Sequence, residues 1–226
     1  MSYKLLIGQK SYSSWSLRGW LPFAMFDIPV EIRSTVIYSD AFSEDVTEFG
    51  GGKTVPAVVT PQGGVLSDSL AIAWHLVEAF PEKDLLPSDP VLRAQALSIT
   101  AEMHSGFTAL RGACPMNLRT AWDGFVPSAE VLDDVARIEA LWGAALAKSN
   151  GPFLFGDYSI ADAFYAPVVT RLVTYGLPVS TGTQAYIDAH LRLPQMKQWR
   201  DEGLAEDAEL SVYDKALERR AFPMPV

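Results

Sequence analysis

The strongest constraint on this chain is a change of hydrophobic period across a proline-rich segment. Before that segment apolar residues come in short runs and alternations; after it they recur at helical spacing. Tyr3 to Ile7 is a short apolar run stopped by Gly8, as in a buried strand. From Ser13 or Ser14 to Phe26, the residues Trp15, Leu17, Trp20, Leu21, Phe23, Ala24 and Phe26 recur with a helix's period, and Asp27 and Pro29 end the run. Val30 to Tyr38 is rich in β-branched residues and partly alternating, which predicts a second strand. Ser39 to Lys53 is polar and reaches Gly50-Gly51-Gly52, a flexible approach to the next element. Ala57 to Thr60, the turn Pro61 to Gly64, and Val65-Leu66 predict an antiparallel hairpin. Ser67 or Asp68 can cap a helix running through Leu70, Ile72, Ala73, Leu76 and Val77 to Phe80. Residues 1–80 therefore spell βαβ-ββα, an α/β domain with a mixed four-stranded sheet.

Residues 81–90 carry Pro81, Pro87 and Pro90 with no periodicity, the composition of a linker. Beyond it, over 91–226, helical patterns cover Val91 to Arg111, Ser128 to Lys148, Ser159 to Tyr175, Thr183 to His190 and Pro194 to Asp207, and no strand is expected. Ser159 and Asp162 have the spacing of a structural capping box, with a shorter acid than the usual Glu.

Composition narrows the chemistry. An acidic excess of 27 to 18 with scattered Lys and Arg disfavours nucleic-acid binding. One cysteine, Cys114, excludes an intrachain disulfide and is expected as a small buried hydrophobe. His75, His104 and His190 are too far apart in sequence to suggest a metal site. No run approaches a membrane span or a signal-peptide core, so a cytoplasmic protein without membrane association is expected.

Three segments carry candidate chemistry. In Thr54-Val55-Pro56-Ala57-Val58, proline enters a strand; the plain reading is a turn proline, whereas a cis Val55-Pro56 bond leaves the Val55 N–H and C=O free to pair with an extended peptide. Ser67-Asp68-Ser69 opens a helix, where capping alone accounts for one polar residue and an anion site for more than one. Together these segments suggest a pocket for a small acidic peptide. Ser11-Tyr12-Ser13-Ser14 forms a serine-rich turn before a helix; such a turn is usually just an N-cap, but beside a thiol a hydroxyl favours the thiolate.

The strand, Ser13-Ser14-Trp15-Ser16-Leu17-Arg18, the KTVPAVV segment and the SDSLAI helix together resemble glutathione transferases, most closely the serine-type theta and zeta classes. The zeta signature SSCSWR is matched without a gap at its serines and arginine, and departs at Trp15 and Leu17. Ser159 to Asp162 is similar to the family's capping box, and Ala101 to Phe107 looks like bacterial members of uncertain substrate. The resemblance implies a thioredoxin-like front domain followed by an all-helical bundle lining the second-substrate site, assembled as a homodimer. It implies that Ser13 is the thiolate-stabilising serine, with Ser14 and then Ser11 as rivals. It also implies that Val55 pairs with the cysteinyl backbone of glutathione, that Pro56 is cis, that Asp68 and Ser69 hold the γ-glutamyl end, and that Lys53 holds the glycyl carboxylate beside Thr54. Trp15, Met103, His104, Phe107 and Arg111 are candidates for the second-substrate wall, although a histidine among apolar neighbours is more often a satisfied core residue.

The activity so implied is activation of glutathione as a thiolate for addition to an apolar electrophile, a detoxification chemistry, with no metal. A zeta-like cis–trans isomerase of an unsaturated diacid is the alternative, favoured if Arg18 and Arg111 make that pocket basic. A glutathione-binding stress protein without turnover is the non-enzymatic alternative. A Ser-His-Asp hydrolase is disfavoured by the absence of a G-x-S-x-G elbow.

Overall fold

A computed structural model describes residues 2–50 and 52–225. Met1, Gly51 and Val226 lie outside the described residues, and with Gly51 part of the expected glycine-rich approach. The front half runs β1 (Tyr3–Ile7), α1 (Ser14–Met25), β2 (Val30–Ser34), α2 (Phe42–Glu48), β3 (Ala57–Val59), β4 (Val65–Leu66) and α3 (Ser69–Ala79). The sheet order is β2-β1-β3-β4, with β1 parallel to β2 and antiparallel to β3. The expected βαβ-ββα sheet is thus present.

Two sequence expectations are corrected here. The second strand ends at Ser34 and not Tyr38: Thr35 N–H still donates to Ile7 O as the last bond to β1, after which the chain leaves the sheet and Tyr38 takes a left-handed φ of 65°. The polar stretch from Ser39 to Lys53 holds α2, a seven-residue helix whose one buried residue, Val46, gives too little apolar signal for a periodic pattern.

The back half contains α4 (Pro90–Ser105), α5 (Thr108–Ala113), α6 (Ala129–Leu146), α7 (Ile160–Thr174), α8 (Thr181–Leu191) and α9 (Pro194–Glu206). The helix expected from Val91 to Arg111 is broken: Phe107 has a φ of 55°, so the chain leaves helical geometry and restarts at Thr108. The expectation of no strand beyond residue 90 is also corrected. A three-residue pair, β5 (Ala121–Asp123) with β6 (Glu218–Arg220), is antiparallel and lies between segments far apart in sequence. Strands this short have no readable period.

The halves meet where α1 packs on α7 and α9, so the first helix is buried on both sides. Gly19 makes the front-half contact possible: a Cβ there would lie 2.7 Å from the Pro56 ring. Cys114 is fully buried, and burial pushes its thiol up to about 12, in line with a packing residue.

α7 is almost entirely buried and starts from the expected capping box. The fully buried Asp162 carboxylate accepts from Ser159 N (2.9 Å), Ser159 Oγ (2.8 Å), Leu154 N (3.1 Å) and Tyr186 Oη (2.9 Å). One acid therefore ties α7 to the preceding loop and to α8. Asp162→Ala strands several buried donors at once and is expected to cost about 3 kcal/mol or more, with Asp162→Asn costing less because it keeps an acceptor. Equal denaturation midpoints for wild type and Asp162→Ala would overturn this account.

Candidate functional site

A cavity of about 630 Å³ opens between the halves, with Ser13, Ser14, Val55, Pro56, Asp68 and Ser69 on one side and Arg111, Pro115, Met116, Arg171 and Tyr213 on the other. Lys53, Thr54 and Trp15 also line it. Of the three serines, Ser11 stands apart: its N–H donates to Asp207 Oδ2 at 2.6 Å and its carbonyl accepts from Leu118 N at 3.0 Å, which turns it toward α9.

Ser13 is the N-cap of α1, receiving Ser16 N at 3.3 Å, while its hydroxyl donates to Ser16 Oγ at 2.7 Å. Ser16 Oγ also accepts from Gly8 N at 2.9 Å, so the turn is locked to the end of β1. Ser14 Oγ accepts from Arg171 Nη2 at 3.2 Å, a contact between the two halves. Arginine has no acceptor, so the Ser14 proton is left free.

The Val55-Pro56 peptide is cis. Val55 precedes the ladder that begins at Ala57, and among the described residues its backbone has no hydrogen-bond partner. Asp68 caps α3, its Oδ1 accepting from Leu70 N (2.8 Å) and Ala71 N (3.1 Å). Losing this cap alone costs about 1 kcal/mol, so Asp68 has a structural role beside any ligand role. Ser69 Oγ is buried and without a protein partner among the described residues. These groups form one edge: free backbone, an acid and a spare hydroxyl.

Opposite them the cavity is cationic. Arg171 is buried, donating Nε to Cys114 O (2.9 Å) and Nη1 to Pro167 O (3.2 Å) besides its bond to Ser14. Those bonds use three of five donors. Burial, with repulsion from Arg111, draws its value down to about 10. Arg111 Nη1 caps the carbonyls of His104 (3.2 Å) and Gly106 (3.1 Å) at the end of α4, and burial lowers it too. Neither arginine pairs with a carboxylate among the described residues. Arg18, expected in the pocket, lies fully buried behind it, 4.8 Å from the Trp15 ring centroid, with Arg111 4.7 Å from the same centroid. Sequence reading missed Arg171 because a lone arginine in a helix carries no local signal.

Met103 and Phe107 sit in the core and do not line the cavity. His104 is half-buried, edge-on to Trp15 at 5.3 Å, with Nε2 3.4 Å from Asp68 Oδ2. It supports the wall from behind.

Family models agree with this architecture. The glutathione S-transferase N-terminal domain matches residues 12–79 and the glutathione S-transferase C-terminal domain matches 126–202. A probable maleylacetoacetate isomerase of Caenorhabditis elegans is 27% identical over 176 residues, covering 76% of this chain and 79% of that protein. A probable maleylacetoacetate isomerase 1 of Drosophila melanogaster is 27% identical over 181 residues, covering 73% and 67%. A glutathione transferase homolog from Burkholderia, solved with bound glutathione, superposes with a TM-score of 0.69 at 22% identity, covering 92% of this chain and 100% of that one. At that identity the superposition shows the fold.

The His104–Asp68 contact has a measurable consequence. Burial holds His104 below 6.5, the Asp68 carboxylate raises it, and Arg18 and Arg111 lower it further. A folded-state value below the unfolded one means that protonation opposes folding, so this contribution to stability is present above the unfolded value and is lost as the pH falls from there through the folded one. In an NMR titration His104 should titrate below 6.5, and Asp68→Asn should move it lower still; a rise in that variant would contradict the assignment.

Proposed function

The chain belongs to the glutathione transferase family, and from that premise we propose that it activates glutathione as a thiolate and uses it on a small electrophile bearing carboxylates, as a glutathione-dependent cis–trans isomerase of an unsaturated diacid. The observation that carries the acidic substrate is the pair Arg111 and Arg171, lining the same cavity as Ser13 and Ser14 with no carboxylate partner among the described residues. The names of the relatives from Caenorhabditis elegans and Drosophila melanogaster support the same substrate class. In this reading residues 1–80 form the glutathione domain, 81–90 the linker and 91–226 the second-substrate domain.

The glutathione backbone pairs with the free Val55 edge, its γ-glutamyl end meets Asp68 and Ser69, and its glycyl carboxylate meets Lys53 next to Thr54. Ser13, at the N-terminus of α1, turns its hydroxyl from Ser16 to the sulfur, stabilising the thiolate together with the helix end. The thiolate adds to one carbon of the double bond, and the electron pair moves to the carbon next to the activated carbonyl. Rotation about the resulting single bond and expulsion of the same sulfur then restore the double bond in trans geometry, and glutathione is returned unchanged. Arg171 and Arg111 hold substrate carboxylates while the bond turns. Trp15 forms the wall between them, and the cytoplasmic, homodimeric state follows from the same family reading. None of the described helices is long and apolar enough to cross a membrane.

Assay with maleylacetoacetate and catalytic glutathione tests the proposal: the diacid should be isomerised with no net consumption of glutathione, and Arg171→Met should raise its KM about ten-fold or more, the effect of losing a charge-assisted hydrogen bond. Turnover confined to neutral aryl halides, with glutathione consumed, would instead establish a general transferase.

The serines are separated by the absorbance of the bound thiolate. Ser13→Ala should raise the bound thiol toward its free value of about 8.5, lowering turnover near neutrality more than affinity, with part of the loss recovered at higher pH. A larger displacement in Ser14→Ala would transfer the role to Ser14.

A further inference from the structure

The residues matched by the C-terminal family model end at 202, yet the chain continues past α9 and returns to the cavity. The returning segment is anchored at both ends. At its start Asp207 receives Ser11 N at 2.6 Å and Leu210 N donates to Tyr12 Oη at 3.1 Å. At its end β6 pairs with β5, Arg220 Nε lies 2.8 Å from Asp123 and Thr120 Oγ1 donates to Arg220 O at 3.0 Å. Between these anchors Ser211–Tyr213 forms one 3₁₀ turn, and Tyr213 is the residue of the segment that lines the cavity.

The Tyr213 ring centroid lies 4.7 Å from that of Tyr12 and 6.5 Å from that of Tyr38, so the ring closes the mouth between the serine turn and the front-half rim. Burial raises its phenol, a hydrogen bond with the Tyr38 hydroxyl raises it further, and Arg171 opposes that rise, so the phenol stays neutral at physiological pH. Arg171 keeps unused N–H groups after its three internal bonds. A phenolic donor and a guanidinium with spare donors thus share the back-half side of one cavity.

We infer that Tyr213 is a specificity-determining contact for the second substrate, turning its hydroxyl from Tyr38 to a carboxylate that Arg171 also holds. This rests on the acidic substrate proposed above. The segment then acts as a fixed strap that supplies one wall of the subsite, and the spacing of its anchors sets how large an acid fits beneath it.

The test uses the full chain and a stable ligand, S-(1,2-dicarboxyethyl)glutathione, the adduct of the glutathione thiol with maleate. By calorimetry the wild type should bind this adduct more tightly than glutathione. Tyr213→Phe should cut that advantage about ten-fold with glutathione affinity unchanged within two-fold, and Tyr213→Ala should cut it at least as much. Retained glutathione binding in each variant shows that the fold survives. An advantage left intact in both variants overturns the role of Tyr213 and leaves the acidic-substrate proposal standing. Equal losses for adduct and glutathione place Tyr213 in the glutathione subsite and overturn it too. No advantage in the wild type overturns both proposals together.

Discussion

The site depends on one clamp: residues 9–13, the turn carrying the candidate hydroxyls, are held by side chains almost two hundred residues later. Trp199 Nε1 donates to Lys10 O at 2.8 Å, the Lys10 ammonium sits between Glu202 (2.9 Å) and Glu206 (2.8 Å), and Asp207 takes the Ser11 N–H. Gly203 lets α9 approach this closely, since a Cβ there would stand 2.9 Å from Ser11 Oγ. Each buried hydrogen bond contributes about 1 kcal/mol, so the contacts together fix the turn far more firmly than a loop's own propensity does. The front half supplies the hydroxyls and the back half sets where they point.

The second constraint is charge held without a counterion. No protein acceptor among the described residues lies within reach of Arg18 Nε, Nη1 or Nη2, and the guanidinium sits between the rings of Trp15 and Phe164 at 4.8 and 5.7 Å. Burial pushes it well below the ordinary arginine value, and the like charges of Arg171 and Arg111 push it further. Ring contacts return only about 1–2 kcal/mol each. A fold selected for stability alone would place a carboxylate or an apolar residue here. Three guanidiniums beside the serines, with Asp68 the carboxylate acting on Arg18, create a positive potential that an anionic ligand relieves.

Much of this was legible in the sequence, and the reasons divide cleanly. Periodicity exposed β1, α1, the β3–β4 hairpin and α3, because each buries enough apolar surface to imprint its period. Short-range chemistry exposed the Asp68 cap, the Ser159–Asp162 box and the turn at Ser13. What stayed hidden depends on long-range contacts. β5 and β6 are three residues each and exist only by pairing; α2 buries a single residue; the break at Phe107 is a backbone choice imposed by packing. Arg171 and Tyr213 belong to the cavity solely because α7 and the C-terminal strap fold back on α1, and no window around either residue could reveal that.

Arg171 also joins the two halves of the chemistry. Because a guanidinium can only donate, its bond to Ser14 Oγ polarises that hydroxyl and leaves its proton directed elsewhere, while two further donors stay open for the carboxylate proposed above. A substrate carboxylate at Arg171, as proposed above, would offset positive charge on the same guanidinium that donates to Ser14. It also adds a negative charge to a cavity that until then favoured the thiolate. In the proposed function the substrate would thus neutralise part of the field that stabilises the thiolate, and a thiolate of higher pKa is intrinsically the more nucleophilic one. In the function proposed above, one buried side chain reaching from α7 to the first residue of α1 would thereby couple occupancy of the acidic subsite to the reactivity of the thiol.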